Sequence, residues 1–117
     1  VGHFPVYSGG SHGNTPELQE QVLPLLIKYN VDAYLDGHDH TLQALYSDNV
    51  YYYVTGAGCQ HESHDPKTLP QTLYGTSKVH GFATMAINAT TFEIVYLSDH
   101  GEVMYQDRHA VRPKSAL

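Results

Sequence analysis

The chain has 117 residues, 41% of them hydrophobic, which is enough for one small domain with a modest core. Its formal net charge of −6 and its six lysines and arginines argue against nucleic acid or an acidic membrane surface as a partner, because both require clustered basic residues. No stretch of about 18 residues is continuously apolar, so we expect no membrane span.

The chain starts at Val1, without an initiator methionine, and its first residues read as the end of a strand. We therefore expect a fragment or a processed chain. Cys59 is the single cysteine and has no partner for an internal disulfide bond, so cysteine usage leaves the redox compartment open.

A glycine-rich loop at residues 8–14 is followed by a predicted helix, which Asn14 or Thr15 caps and Asn30 closes. Pro24 is expected to kink or break this helix, because proline cannot donate the helical hydrogen bond. The apolar stripe that would face the core consists of Leu18, Val22, Leu25, Leu26 and Tyr29.

Residues 31–36 predict a short buried strand, so the chain up to this point is a strand, helix, strand unit. Residues 50–55 predict a second strand, because they are aromatic and β-branched, and we assign their tyrosines to packing. The polar and irregular residues from Cys59 to Val79 predict a long surface loop.

Residues 82–88 and 92–97 alternate in the manner of two antiparallel strands, and residues 103–106 predict a third. From Arg108 onward we expect a tail. Between the first two strands, Asn88-Ala89-Thr90 matches the N-glycosylation sequon, which matters in a secretory compartment. The alternative is an ordinary hairpin turn.

Three histidines could together bind one metal ion. They are His3 and the pair His38 and His40 in the tetrapeptide GHDH. The pair follows the strand at residues 31–36, so we expect it on extended chain or a turn at the end of that strand, where α/β sheets place their chemistry. A bare His-x-His is weak evidence, and ordinary hydrogen-bonded histidines are the alternative.

The joint spacing of four segments resembles the C-terminal half of the purple acid phosphatases, and most closely their small, tartrate-resistant type. These segments are GHFPVY at residues 2–7, His12-Gly13, GHDH at 37–40 and GAG at 56–58, and the resemblance covers residues 1–106. It implies an α/β fold, in part α+β. Residues 1–117 would form the C-terminal half of a four-layer αββα sandwich with mixed β-sheets, as in the calcineurin-like metallophosphoesterases.

The resemblance also implies a dinuclear centre of Fe(III) with Fe(II), Zn(II) or Mn(II), at which phosphate monoesters are hydrolysed by attack of a metal-bound hydroxide. His3 and His38 would bind the divalent ion and His40 the ferric ion. His12 would face the substrate phosphate, whereas the alternative from the residues alone is an exposed loop histidine.

The family's other ligands, which are aspartates, an asparagine and a tyrosinate, lie in motifs that this chain lacks. We therefore expect the chain to depend on a missing N-terminal half of the same domain and to be inactive alone. Apolar strand faces at residues 50–55 and 82–97 would be exposed without that half. The family's usual setting is secreted, lysosomal or vacuolar, with which the sequon at Asn88 agrees.

Histidines outside the shared motifs have less defined roles. After GAG, where the family often has an asparagine, this chain has CQHESH at residues 59–64. Its His61 and His64 are either rim groups that contact substrate or solvated loop residues. We assign His80, His100 and His109 to the surface or to packing.

Two rival functions remain open. One is another calcineurin-like phosphodiesterase or protein phosphatase, which would share GHDH but would usually lack FPVY and His12 at this spacing. The other is a noncatalytic histidine-based metal-binding module, which would bind metal tightly without further ligands.

Overall fold

Residues 1 to 114 are described by the computed structural model, and within them two short helices precede seven strands. The helices are α1 (Pro16–Gln21) and α2 (Leu23–Lys28). The strands are β1 (Ala33–Asp36), β2 (Leu42–Ser47), β3 (Val50–Thr55), β4 (Thr72–Thr76), β5 (Gly81–Ile87), β6 (Thr91–Ser98) and β7 (Val103–Ala110).

The strands form two sheets. The first has the order β1-β3-β2-β4 and is mixed, because β1 and β3 run parallel while the other neighbours are antiparallel. The second has the order β5-β6-β7 and is antiparallel throughout. The predicted pairing of residues 82–88 with 92–97 is confirmed, since Phe82 lies opposite Leu97 and Ile87 opposite Phe92.

The first sheet is covered on both faces, and this defines the layers of the fold. On one face, Leu18, Leu23 and Leu26 of the helices pack against a buried cluster that includes Tyr34, Leu45 and Val54. On the other face, sheet residues including Leu42 and Tyr53 meet Phe92, Ile94 and Tyr96 of β6. Burying each large apolar side chain contributes about 1.5–3 kcal/mol. The described residues thus form a mixed α/β structure of helices, mixed sheet and antiparallel sheet.

The helical segment differs from its prediction in part. Thr15 is the N-cap and Asn30 adopts a left-handed φ of 52° just after the last turn, as expected. The helix is broken between Gln21 and Leu23, so the expected effect of Pro24 is confirmed. Because the break shifts the helical phase, Leu23 faces the core, whereas Leu25 and Tyr29 of the predicted stripe are exposed.

The first sheet contains two strands that the sequence did not predict. β2 follows the GHDH segment directly, and β4 lies inside the region predicted as a surface loop, so that prediction was wrong for residues 72–76. The reason is backbone pairing: β4 is an edge strand held by β2, and its own side chains carry no strong periodic pattern.

The carboxyl end is also more ordered than expected. β7 extends to Ala110, and Arg112 then donates hydrogen bonds to the Asp32 carboxylate and to the Val31 carbonyl. The tail prediction was therefore wrong for residues 108–114, while residues 115–117 lie outside the described part of the chain.

The tyrosines of β3 pack as predicted, since Tyr52 and Tyr53 are fully buried in the two clusters. The expectation that β3 would expose an apolar face was wrong, because β3 is an interior strand with a layer on each side. Phe82 and Ile87 of β5 are exposed, as expected, whereas Phe92, Ile94 and Tyr96 of β6 are buried, so the expectation was wrong for that strand. No helix within residues 1 to 114 is long and apolar enough to cross a membrane.

Candidate metal centre and active site

The site begins where the parallel strands β1 and β3 end. Their last paired residues are Asp36 and Val54, and the GHDH segment leaves β1 at this edge. Tight backbone bonds from Asp39 N–H to the Gly37 carbonyl and from Thr41 N–H to the Asp39 carbonyl, each 2.8 Å, fold the segment into consecutive bends. The predicted turn after the strand is confirmed.

His38 lies in a left-handed conformation with a φ of 66°, which is unfavourable for a residue with a side chain. Such backbone strain costs on the order of 1–3 kcal/mol and persists where the surroundings hold it. The strained position directs the chain so that the His38 ring meets the rings of His3 and His12.

His3 reaches the same edge because the first residues lie alongside β1. Gly2 N–H donates to the Leu35 carbonyl at 2.9 Å, and Gly37 N–H donates to the His3 carbonyl at 3.0 Å. In this arrangement His3 Nε2 lies 3.1 Å from His38 Nδ1. This distance suits a hydrogen bond between the two rings, and it also suits two nitrogens that each lie about 2.0–2.1 Å from one transition-metal ion.

The electrostatics of His38 favour the form that binds metal. Partial burial, followed by the neighbouring His12 and His3, lowers the pKa of His38. A lowered pKa keeps the imidazole neutral to lower pH, and neutral imidazole is the ligand form.

His12 joins the cluster from the glycine-rich loop. Its ring centroid lies 4.1 Å from that of His38, and its Nδ1 lies 2.6 Å from Asp39 Oδ1. The structure thus brings together three of the four histidines that the sequence singled out, namely His3, His12 and His38.

His40 occupies a neighbouring position. It lines an open groove of about 610 Å³ together with Glu62, His61 and His64, and its carbonyl accepts a hydrogen bond from Glu62 N–H at 3.0 Å. His61 and His64 are exposed residues that line the same groove, and the His61 ring also lies 4.8 Å from that of His80, measured between centroids.

Two carboxylates of this site were missed at the sequence level. Asp39, between the two histidines of the motif, is fully buried and accepts hydrogen bonds from His12 and Ser8. Glu62 accepts hydrogen bonds from Ser11. Atoms of His12, Asp39 and Glu62 that could ligate a metal lie within 4.8 Å of one another. For Asp39 the only signal in the sequence is its place between His38 and His40.

Asp36 is a third buried carboxyl group near the site. Its oxygens have no hydrogen-bond partner within residues 1 to 114, and the side chain is almost fully buried. Burial, followed by the charge of Asp39, raises the pKa of Asp36 to about 9. Asp36 is therefore neutral at physiological pH in this structure.

Comparison with known proteins places this arrangement in a family. No protein-family model matches the chain. The chain is 37% identical over 98% of its length to tartrate-resistant acid phosphatase type 5 of Oryctolagus cuniculus, and 37% identical over 92% to that of Homo sapiens. It is 34% identical over 91% of its length to purple acid phosphatase 17 of Arabidopsis thaliana.

A solved structure agrees at the level of the fold. The chain superposes with a TM-score of 0.90 and 25% identity on the structure described as "GAP50 the anchor in the inner membrane complex of Plasmodium". The match covers 97% of this chain and 36% of that chain.

The mixed α/β fold, with histidines gathered at the strand ends, is consistent with the C-terminal domain of a metallophosphoesterase. The chain belongs to the purple acid phosphatase family. It spans 38%, 36% and 33% of the lengths of the rabbit, human and Arabidopsis relatives, respectively.

Proposed function

We propose that the chain is the C-terminal part of a metal-dependent acid phosphatase that hydrolyses phosphate monoesters. The observation that carries this proposal is the meeting of His3, His12 and His38 at one strand edge, in a chain whose relatives are named acid phosphatases. The remainder of the four-layer domain would complete the site and cover the exposed apolar residues of β5, so the chain alone would be inactive.

His3 and His38 would hold a divalent ion, which is Fe(II), Zn(II) or Mn(II), and His40 would hold Fe(III). The first two fit a shared ion by the 3.1 Å approach of their nitrogens, and His40 would reach its ion from the adjoining groove. When bound, such a pair of ions lowers the pKa of water and neutralises phosphoryl charge. The carboxylate and tyrosinate ligands would come from the rest of the domain.

His12 would act on the substrate rather than on the metal. Its Nδ1 is engaged by Asp39, while its side chain is 55% exposed, which leaves Nε2 for a ligand. In acid the protonated ring can donate a hydrogen bond to phosphate or a proton to the leaving oxygen. Its bonds to Asp39 and its contact with His38 argue against the alternative of an unconstrained loop histidine.

A secreted, lysosomal or vacuolar location, with glycosylation at Asn88, completes the proposal. Asn88 lies exposed in the turn between β5 and β6, and its Oδ1 accepts hydrogen bonds from Thr90 and Thr91. The Asn88 amide nitrogen, which carries the glycan in a modified sequon, takes no part in these bonds.

The proposal is tested on the complete protein that contains this chain. Wild type, His40→Ala and the exposed control His100→Ala are compared for hydrolysis of an aryl phosphate in mildly acidic buffer, with metal content measured alongside. The proposal is supported if His40→Ala loses both activity and iron while His100→Ala keeps both. Full activity with unchanged metal contradicts it. Faster hydrolysis of a phosphodiester than of a monoester would favour another metallophosphoesterase.

A second candidate is a noncatalytic role, either as a metal-binding module or as a structural part. The observation that favours it is the fold match to GAP50, which is described as an anchor. Under this hypothesis the complete wild-type protein would hydrolyse no phosphate ester. An active wild type excludes it.

A further inference from the structure

Asp39 is a buried polar residue of the site whose side chain is held by several hydrogen bonds. Its side chain is fully buried, and its Oδ1 accepts hydrogen bonds from both the backbone N–H and the ring Nδ1 of His12, at 2.9 Å and 2.6 Å. Ser8 Oγ donates to the other oxygen, Oδ2. A buried carboxylate that lacked such donors would carry a large desolvation penalty, so these bonds fix the position of Asp39.

The surroundings prevent Asp39 from moving away from His12. Gln43 Nε2 donates to Ser8 Oγ at 2.9 Å, and Gln43 Oε1 accepts from Gly9 N–H at 2.9 Å, so a buried network holds the glycine-rich loop against β2. A Cβ atom at Gly10 would lie 2.6 Å from Asp39 Cγ. Only glycine allows the loop to approach the carboxylate this closely.

The contact also determines which nitrogen of His12 faces outward. Asp39 already accepts hydrogen bonds from the His12 backbone N–H and from the Ser8 hydroxyl, so in the 2.6 Å contact the ring Nδ1 of His12 is assigned as the donor. The hydrogen bond of one ring nitrogen sets the role of the other, and Nε2 is therefore the nitrogen that exchanges a proton or contacts a ligand.

We infer that Asp39 is a positioning residue, which holds the His12 ring in one orientation and one tautomer for the phosphate of the substrate. This inference rests on the proposed function and deepens it. Glu62 restrains the same loop, since its carboxylate accepts hydrogen bonds from the N–H and hydroxyl of Ser11 at 3.0 Å and 2.9 Å.

The test is a double-mutant cycle in the complete protein, with His12→Ala, Asp39→Asn and their combination. An asparagine amide can donate to Nδ1 and would favour the wrong tautomer, so we expect Asp39→Asn to lower kcat about 100-fold with little change in KM. In the His12→Ala background the same change should lower kcat no further. An equal loss in both backgrounds, or full activity of Asp39→Asn, overturns the inference.

Measuring metal content, and comparing a control variant, distinguishes a positioning role of Asp39 from a loss of folding or of metal binding. Asp48→Asn, in the turn after β2 at the far end from His40, should leave kcat and metal content unchanged, because asparagine tolerates its left-handed φ of 52°. If Asp39→Asn loses metal or fails to fold, Ser8→Ala replaces it in the cycle. It should lower kcat several-fold, and only when His12 is present.

Crystal structures of the complete wild type and of Asp39→Asn give a readout besides activity. In the wild type His12 Nδ1 should lie within hydrogen-bond distance of Asp39, and in the variant the ring should shift or turn. A wild type without phosphatase activity but with this contact refutes the proposed function and leaves the His12–Asp39 geometry intact. A wild-type ring turned away from Asp39 refutes the positioning role itself.

Discussion

Tyr96 of β6 reaches across the sandwich to Val54 of β3, and its hydroxyl lies 3.0 Å from the Val54 carbonyl oxygen. The same hydroxyl lies 2.5 Å from the carbonyl oxygen of Gln43, whose side chain belongs to the buried network below His12. This contact joins the antiparallel sheet to the strands that carry the site. Burial raises the pKa of Tyr96 well above its ordinary value, so the phenol stays neutral and can donate.

Tyr96→Phe should therefore destabilise the fold by about 1–2 kcal/mol, because a buried hydrogen bond is lost while the ring still packs. Chemical denaturation of the complete protein measures the change. The control is Tyr46→Phe, whose hydroxyl bonds Asn49 at the surface and whose loss should cost less than about 0.5 kcal/mol. Equal effects of the two changes would contradict a special role for Tyr96.

The charge of Asp32 should make the free energy of unfolding depend on pH in the acidic range. Burial alone would raise its pKa, but hydrogen bonds from Lys114 and Arg112 hold the pKa of Asp32 below its ordinary value of 3.8. A lowered folded pKa contributes stability that is present above the unfolded pKa and is lost as the pH falls through the folded pKa. Asp32→Asn should remove about 1 kcal/mol at neutral pH and less in acid, as measured by thermal unfolding across pH. An unchanged pH profile would show that residues 112–114 are not held by this charge.

Gly56 should tolerate no side chain. A Cβ atom there would lie 1.9 Å from the Asp39 carbonyl oxygen, which is backbone and cannot rotate away. Gly56→Ala should cost more than about 2 kcal/mol and lower the metal content, since it pushes the GHDH segment out of place. Gly58→Ala is the matched control, because its Cβ would meet nothing within 4 Å. Comparable unfolding curves for the two variants would contradict the close approach.

Replacing His3 and replacing His12 should have different effects if His3 binds metal and His12 binds substrate. His3→Ala should lose the divalent ion and the activity together, because it removes one of the two facing nitrogens. His12→Ala should keep both metals and lower kcat about 100-fold or more. Elemental analysis and kinetics on the same preparations check this. Metal loss in His12→Ala would instead make it a ligand.

The sequence predicted the features that depend on neighbouring residues. The strand at residues 50–55 follows from its aromatic and β-branched residues, the pairing of β5 with β6 from alternation, and the break at Pro24 from the missing proline N–H. The sequence did not predict β4, because this edge strand is held by backbone hydrogen bonds to β2. Such pairing leaves no pattern in the side chains of the strand itself. The order of residues 108–114 likewise depends on Asp32, which is distant in sequence.

For the site, the sequence by itself determined which imidazoles are available and placed the GHDH segment after a strand, because glycine and a buried apolar run are local signals. Only the tertiary structure decided that His3, His12 and His38 meet, and that the buried Asp39 holds His12. Those contacts require the end of β1, the glycine-rich loop and the amino-terminal segment to converge. Convergence is set by the packing of two sheets and a helical layer, which the local signals of each segment do not determine.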